Sequence, residues 1–110
     1  MVANFKVFWT HTAVRDLRRI VEYIAIEDLV AAERIYGLIR GKTEGLAQLP
    51  HRGRIVPELQ LQGVLLYREI VQVPWRIIYR ALEDRVVILA VIDDRRNATD
   101  ILLERILEID

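Results

Sequence analysis

The chain has 110 residues, 16 Lys+Arg against 16 Asp+Glu, no Cys and a 53% hydrophobic share. That is enough apolar material for one packed core, so a single domain over residues 1–110 is expected, with no need of a disulfide or a structural metal. A formal charge of zero disfavours a general polyanion binder, and the absence of a signal-peptide pattern or a run of ~20 apolar residues predicts a cytoplasmic protein without membrane contact.

Asn4 to Trp9 alternates Phe5, Val7 and Trp9 with polar or smaller residues, which predicts a short strand. Thr10 or Thr12 then offers an N-cap. Behind it Val14, Leu17, Val21 and Ile24 recur at spacings of three and four, an amphipathic helix reaching about Glu27. A second helix is expected from Val30 to Leu49, and the short connection at Asp28 makes the pair an antiparallel hairpin. Gly37, Gly41 and Gly45 share one face of that helix, each costing about 1 kcal/mol relative to Ala. Close packing against the first helix is the expected reason, with a groove for another chain as the alternative.

Pro50 to Pro57 (PHRGRIVP) punctuates the chain and is expected to be an exposed loop. After it the pattern changes to β-branched and aromatic runs, Val64–Val71, Trp75–Leu82 and Arg85–Ile92, joined by turns at Gln72–Pro74 and Glu83–Asp84. These predict a three-stranded antiparallel meander to whose edge the first strand can add. Asn97 to Asp110 repeats Ile101, Leu102, Arg105, Ile106 and Ile109 at helical spacing, a short terminal helix. The fold class is therefore α+β.

Most catalytic constellations are excluded by composition. There is no Ser for a serine nucleophile and no Cys, and His11 and His51 stand far apart in the chain, so neither a metal nor another cofactor is expected. What remains is arginine: all basic residues but Lys6 and Lys42 are Arg, the side chain suited to bidentate contact with phosphate or carboxylate. Arg68, Arg76, Arg95 and Arg96 sit in or at the end of apolar strands, where charge must meet solvent, an acidic partner or a functional surface. Arg68 and Glu69 have opposite parity, so one of them is expected on the covered side of the sheet, as a paired, half-buried ion.

The order strand, helical hairpin, GRIVPEL (Gly53–Leu59), YREI (Tyr67–Ile70), WRIIYR (Trp75–Arg80) and a valine-rich strand ending in Arg95–Arg96 resembles the RelE/ParE superfamily of toxins of bacterial type II toxin-antitoxin systems. The resemblance runs from about Phe5 to Leu107. It implies a growth-inhibiting toxin neutralised in a hetero-oligomer by a cognate antitoxin encoded in the adjacent gene. One branch of the superfamily cuts mRNA in the ribosomal A site; the other, ParE-like, poisons DNA gyrase without nuclease activity. A further possibility is an inactive member kept as a binding and repression partner.

By resemblance, Arg76 and Arg96 match the phosphate-contacting arginines of the nuclease branch, with Tyr67 or Glu69 as assisting groups. The nuclease lysine positions read Tyr67 and Glu69 here, the terminal-helix tyrosine position falls near Leu102, and Asp93 or Asp94 stands where some members carry histidine. Cleavage through a 2′-hydroxyl needs a base, an acid and positive charge on the phosphate, and no general acid is evident because Arg holds its proton too tightly. The ParE-like reading is therefore favoured, with Arg52, Arg54, Arg68 and Arg95 as candidate target or antitoxin contacts. Ile20, Ile24, Leu38 and Leu65 are candidate apolar contacts for the antitoxin. The tail from Asn97 sets Arg105 against Asp100, Glu104, Glu108 and Asp110, so the neutral total combines a mildly basic body with an acidic end.

Overall fold

A computed structural model describes residues 4–105. Strand β1 (Lys6–Trp9) leads into α1 (His11–Ala25), where the Thr10 hydroxyl accepts from the Ala13 amide at 3.1 Å and so fills one of the donors left open at a helix start. Helix α2 (Leu29–Glu44) is capped in the same way by Asp28, which accepts from Ala31 at 3.0 Å. The three residues between the helices fold α2 back onto α1, as the sequence predicts.

The second helix stops earlier than Leu49. Gly45–Ala47 form a single 3-10 turn, which buries Leu46 completely and lets the Ala47 carbonyl accept from the Phe5 amide at 2.7 Å. The glycine face is likewise corrected. A Cβ placed on Gly37 or Gly41 would meet nothing within 4 Å, so neither glycine packs against α1, and Gly45 faces only the Arg52 side chain.

The segment expected as an exposed loop is partly structured and partly buried. Arg54–Ile55 form β2, Pro57–Gln60 the one-turn helix α3, and Val56 is fully buried. Its backbone explains why: Val56 N–H donates to Tyr67 O at 2.9 Å, so the segment adds an edge to the sheet. The next strand then begins at Tyr67, since Val64 still bonds back to Leu59 and Leu65 and Leu66 are exposed.

The meander forms as β3 (Tyr67–Gln72), β4 (Trp75–Ala81) and β5 (Arg85–Asp93), antiparallel and consecutive. Strand β1 adds to the β5 edge in parallel, from Lys6 opposite Arg85 to Trp9 opposite Ile88, giving the order β1-β5-β4-β3-β2. An irregularity in the β4–β5 register between Ile78 and Tyr79 leaves Leu89 without an opposite residue.

Both sheet faces are covered. On one, Ile70, Ile77, Tyr79, Val86 and Ile88 pack with Ala13, Leu17, Ile35 and Ile39 of the hairpin. On the other, Tyr67, Ile78, Val87 and Leu89 pack under Val56, Leu59 and the helix α4 (Ala98–Arg105), through Ala98, Ile101 and Leu102. The remainder of the predicted terminal helix, Ile106 to Asp110, lies outside the described residues. Helix α4 is tied across the molecule by Arg105, whose NH1 and NH2 donate to Asp16 at 2.8 and 3.0 Å and whose NH1 also reaches Leu89 O at 2.9 Å. Asp16 in turn accepts from Val91 N–H at 3.0 Å, satisfying β5 beyond the end of β1. No helix among the described residues is long and apolar enough to cross a membrane.

Candidate functional site

The second sheet face carries Glu69 from β3 and Arg76 from β4, both buried at 1% and 6% exposure. A buried charge is tolerated only if it is paired and hydrogen-bonded, and here the pairing is dense. Arg76 Nε donates to Glu69 Oε1 at 2.8 Å, and NH2 lies 2.6 Å from the same oxygen. On its other side the guanidinium forms a two-pronged pair with Glu58 of α3, NH1 to Oε2 at 2.7 Å and NH2 to Oε1 at 2.6 Å. NH1 also reaches the Arg96 carbonyl at 3.3 Å. The five N–H groups of Arg76 are therefore all directed at protein oxygens.

Glu58 has a second task. Its Oε2 accepts from the Ala98 amide at 2.9 Å, at the start of α4, so one carboxylate joins α3, β4 and α4. The Arg76 hydrogen bonds, with help from the Ala98 amide and against the effect of burial, hold the Glu58 carboxyl at about 2. The same carboxylates raise the affinity of Arg76 for its proton. Glu69 is completed by Arg54 of β2, Nε and NH2 at 2.7 and 2.6 Å from Oε2.

Around this cluster lies an open cleft of about 400 Å³, lined by Arg54, Glu58, Val71, Arg76, Arg96 and Asn97 among others. The cluster brings together Arg54, Glu69 and Arg76 of the residues singled out from sequence, with Arg96 at its rim. Tyr67 is on the same face but buried at 4% exposure beside Arg80, and burial pushes its phenol up. Arg95 is exposed and folds onto Asp93, Nε to Oδ1 at 3.0 Å and NH2 to Oδ2 at 3.2 Å, which holds the Asp93 carboxyl at about 2. In charge, Arg54, Arg76, Arg95 and Arg96 are matched by Glu58, Glu69, Asp93 and Asp94.

Arg68 is on the opposite, hairpin-covered face, where it donates to Gly53 O at 2.8 Å and His51 O at 3.3 Å. The parity expectation is thus met by both residues at once, each on a different covered face. Arg52 is exposed beside Gly45, and His11 and His51 are exposed. No group of three His, Cys, Asp or Glu among the described residues could hold a metal.

Sequence reasoning passed over Glu58, the residue that closes the clamp. Pro57-Glu58 is an ordinary helix-start pair, and nothing local marks Glu58 as the partner of an arginine 18 positions later. It also passed over Tyr79, whose hydroxyl accepts from Gly53 N–H at 2.9 Å and pins the loop to the sheet.

Comparison with known proteins bears on this arrangement. Among solved structures, the chain matches the chromosomal ParDE TA system from P. aeruginosa with a TM-score of 0.67 and 19% identity, covering 83% of this chain and 97% of that one. At that identity the likeness establishes the α+β fold. No curated protein sequence matches. The profile of the ParE toxin of type II toxin-antitoxin systems, parDE, matches residues 7–98, from β1 through the sheet to the first residue of α4. A match over that span places the chain in a family: it is a member of the ParE toxins of type II toxin-antitoxin systems.

Proposed function

We propose that this toxin acts in the cytoplasm on DNA gyrase and not on RNA, and that an antitoxin encoded in the adjacent gene neutralises it. One observation carries the reading: the Arg76 guanidinium is clamped between Glu58 and Glu69. Phosphoryl chemistry on RNA would require Arg76 to place positive charge on the phosphate. Its donors are spent on two carboxylates, and the charges around the cleft cancel.

The other candidates for that chemistry are no freer. Glu69 would be the base, yet its oxygens accept from Arg54 and Arg76 and its side chain has no solvent exposure. Tyr67 is buried, with a phenol that gives up its proton less readily than usual. This supports a structural role for Arg54, Glu69 and Arg76, and leaves the exposed Arg52, Arg95 and Arg96 for contact with a macromolecular target.

The antitoxin has an apolar cleft of about 470 Å³ available, formed by Ile20, Tyr23 and Ile24 of α1 with Trp75 and Val91 of the sheet. Leu38 and Leu65, at 40% and 55% exposure, extend the apolar surface. Purified toxin is expected to inhibit supercoiling by gyrase and to trap cleaved DNA, with both effects abolished by the antitoxin. Unaffected gyrase at excess toxin would remove the proposal.

A further inference from the structure

We infer that the groove between α1 and α2 beside β1 is a docking site for an acidic amphipathic helix, and that Arg40 is the residue that reads its charge. The inference rests on the antitoxin reading above, which makes that helix a segment of the antitoxin. The groove has a volume of about 290 Å³ and an apolar floor of Trp9, Val14, Leu17, Val21 and Tyr36. Such a floor suits a protein side chain and not a nucleic acid, whose binding rests on phosphate contacts. Val14 and Tyr36 remain 39% and 44% exposed although the helices already pack on each other, so nothing within the described residues covers them.

Arg40 supplies the polarity of the site. Its guanidinium carbon lies 5.6 Å from the Trp9 ring centre and 5.9 Å from that of Tyr36, so two aromatic faces hold the fork in place. Its hydrogen bonding is incomplete. Nε is shielded from solvent without a partner, NH1 meets the Tyr36 hydroxyl only at 3.4 Å, and NH2 is 3.9 Å from Glu44. A carboxylate bound to the terminal nitrogens would replace these long contacts with short, charge-assisted ones. Arg18 stands at the same rim with no ion pair among the described residues, and Glu22 is the one acid lining the groove, so its surplus is positive. Further round α2, the bare Cβ positions of Gly37 and Gly41 leave room for the backbone of an incoming helix to lie close.

The test is a titration of purified toxin with the protein encoded in the adjacent reading frame, at two salt concentrations, for wild type, Arg40→Lys and Arg40→Glu. Thermal melts of the free variants control for folding. The expected result is binding weakened at least tenfold by Arg40→Glu and less by Arg40→Lys, with a smaller salt dependence in the variants than in wild type. Charge reversal of one acidic antitoxin residue should restore binding to Arg40→Glu. Should Arg40→Glu fail to fold, Arg18→Glu and Val14→Gln probe the same groove, with the same direction expected. Wild-type affinity retained within twofold in a folded Arg40→Glu or, in its place, in both substitute variants would overturn the groove and leave the antitoxin reading standing. No binding by wild type would overturn both, as would competition at the groove by duplex DNA in place of the antitoxin.

Discussion

Arg76 has the position of a phosphate-binding residue and the surroundings of a structural one. Removing one member of a buried ion cluster costs more than the pair contributes, because the remaining charge is left uncompensated, so Glu58→Gln is expected to destabilise the fold by about 2–4 kcal/mol in urea titrations. The pH dependence has a definite sign. The Glu58 carboxyl is at about 2 in the fold against the usual 4.5, so the unfolded chain takes up the proton first. The stabilisation is complete above about pH 4.5 and is lost as pH falls through about 2. Glu58→Gln should flatten the stability profile in that window; an unchanged slope would show that the clamp does not hold the carboxylate down.

Glycines divide just as sharply at this scale. A Cβ on Gly53 would stand 2.5 Å from Glu69 O and 2.8 Å from the Tyr79 ring and hydroxyl, so Gly53→Ala must displace the loop from the sheet. Its expected cost is at least ~2 kcal/mol. Gly37→Ala and Gly41→Ala meet empty space in a helix interior and should each stabilise by up to about 1 kcal/mol. Thermal melts of the three variants separate the two kinds of glycine.

Among the elements, α1, the meander and the addition of β1 to its edge were legible because their signals are periodic and local: Val14, Leu17, Val21 and Ile24 on one side of a helix, alternating β-branched runs between short turns. The β2 and α3 segment was not, because two residues of strand and one turn of helix carry no period. Their existence depends on Tyr67 O, Tyr79 and Arg76, distant partners that no local pattern announces. The same holds for the second face of the sheet. Charged Glu69 and Arg76 could be read as needing partners, but Glu58 and the cover by α4 come from tertiary packing. Helix α4 is held at its start by Glu58 and at its end by Asp16 through Arg105. Asp16→Asn should therefore raise amide hydrogen exchange across Ala98–Arg105 and at Val91, while the hairpin amides remain protected. Uniform protection in the variant would show that the apolar face of α4 is sufficient by itself.

In the whole molecule, the neutral charge total resolves into local matching. Carboxylates answer the arginines of the cleft, whereas Arg18 and Arg40 beside the hairpin groove outnumber its one acid. Unmatched positive charge and open apolar surface therefore lie together on the helical side, away from the residues that resemble a nuclease site. That division suits a toxin working through protein surfaces, held in check by an antitoxin that covers them. Primer extension on a message being translated with excess toxin tests this most directly. No new ends within A-site codons are expected; new ends there that vanish on substitution of Arg76 or Arg96 would contradict the account.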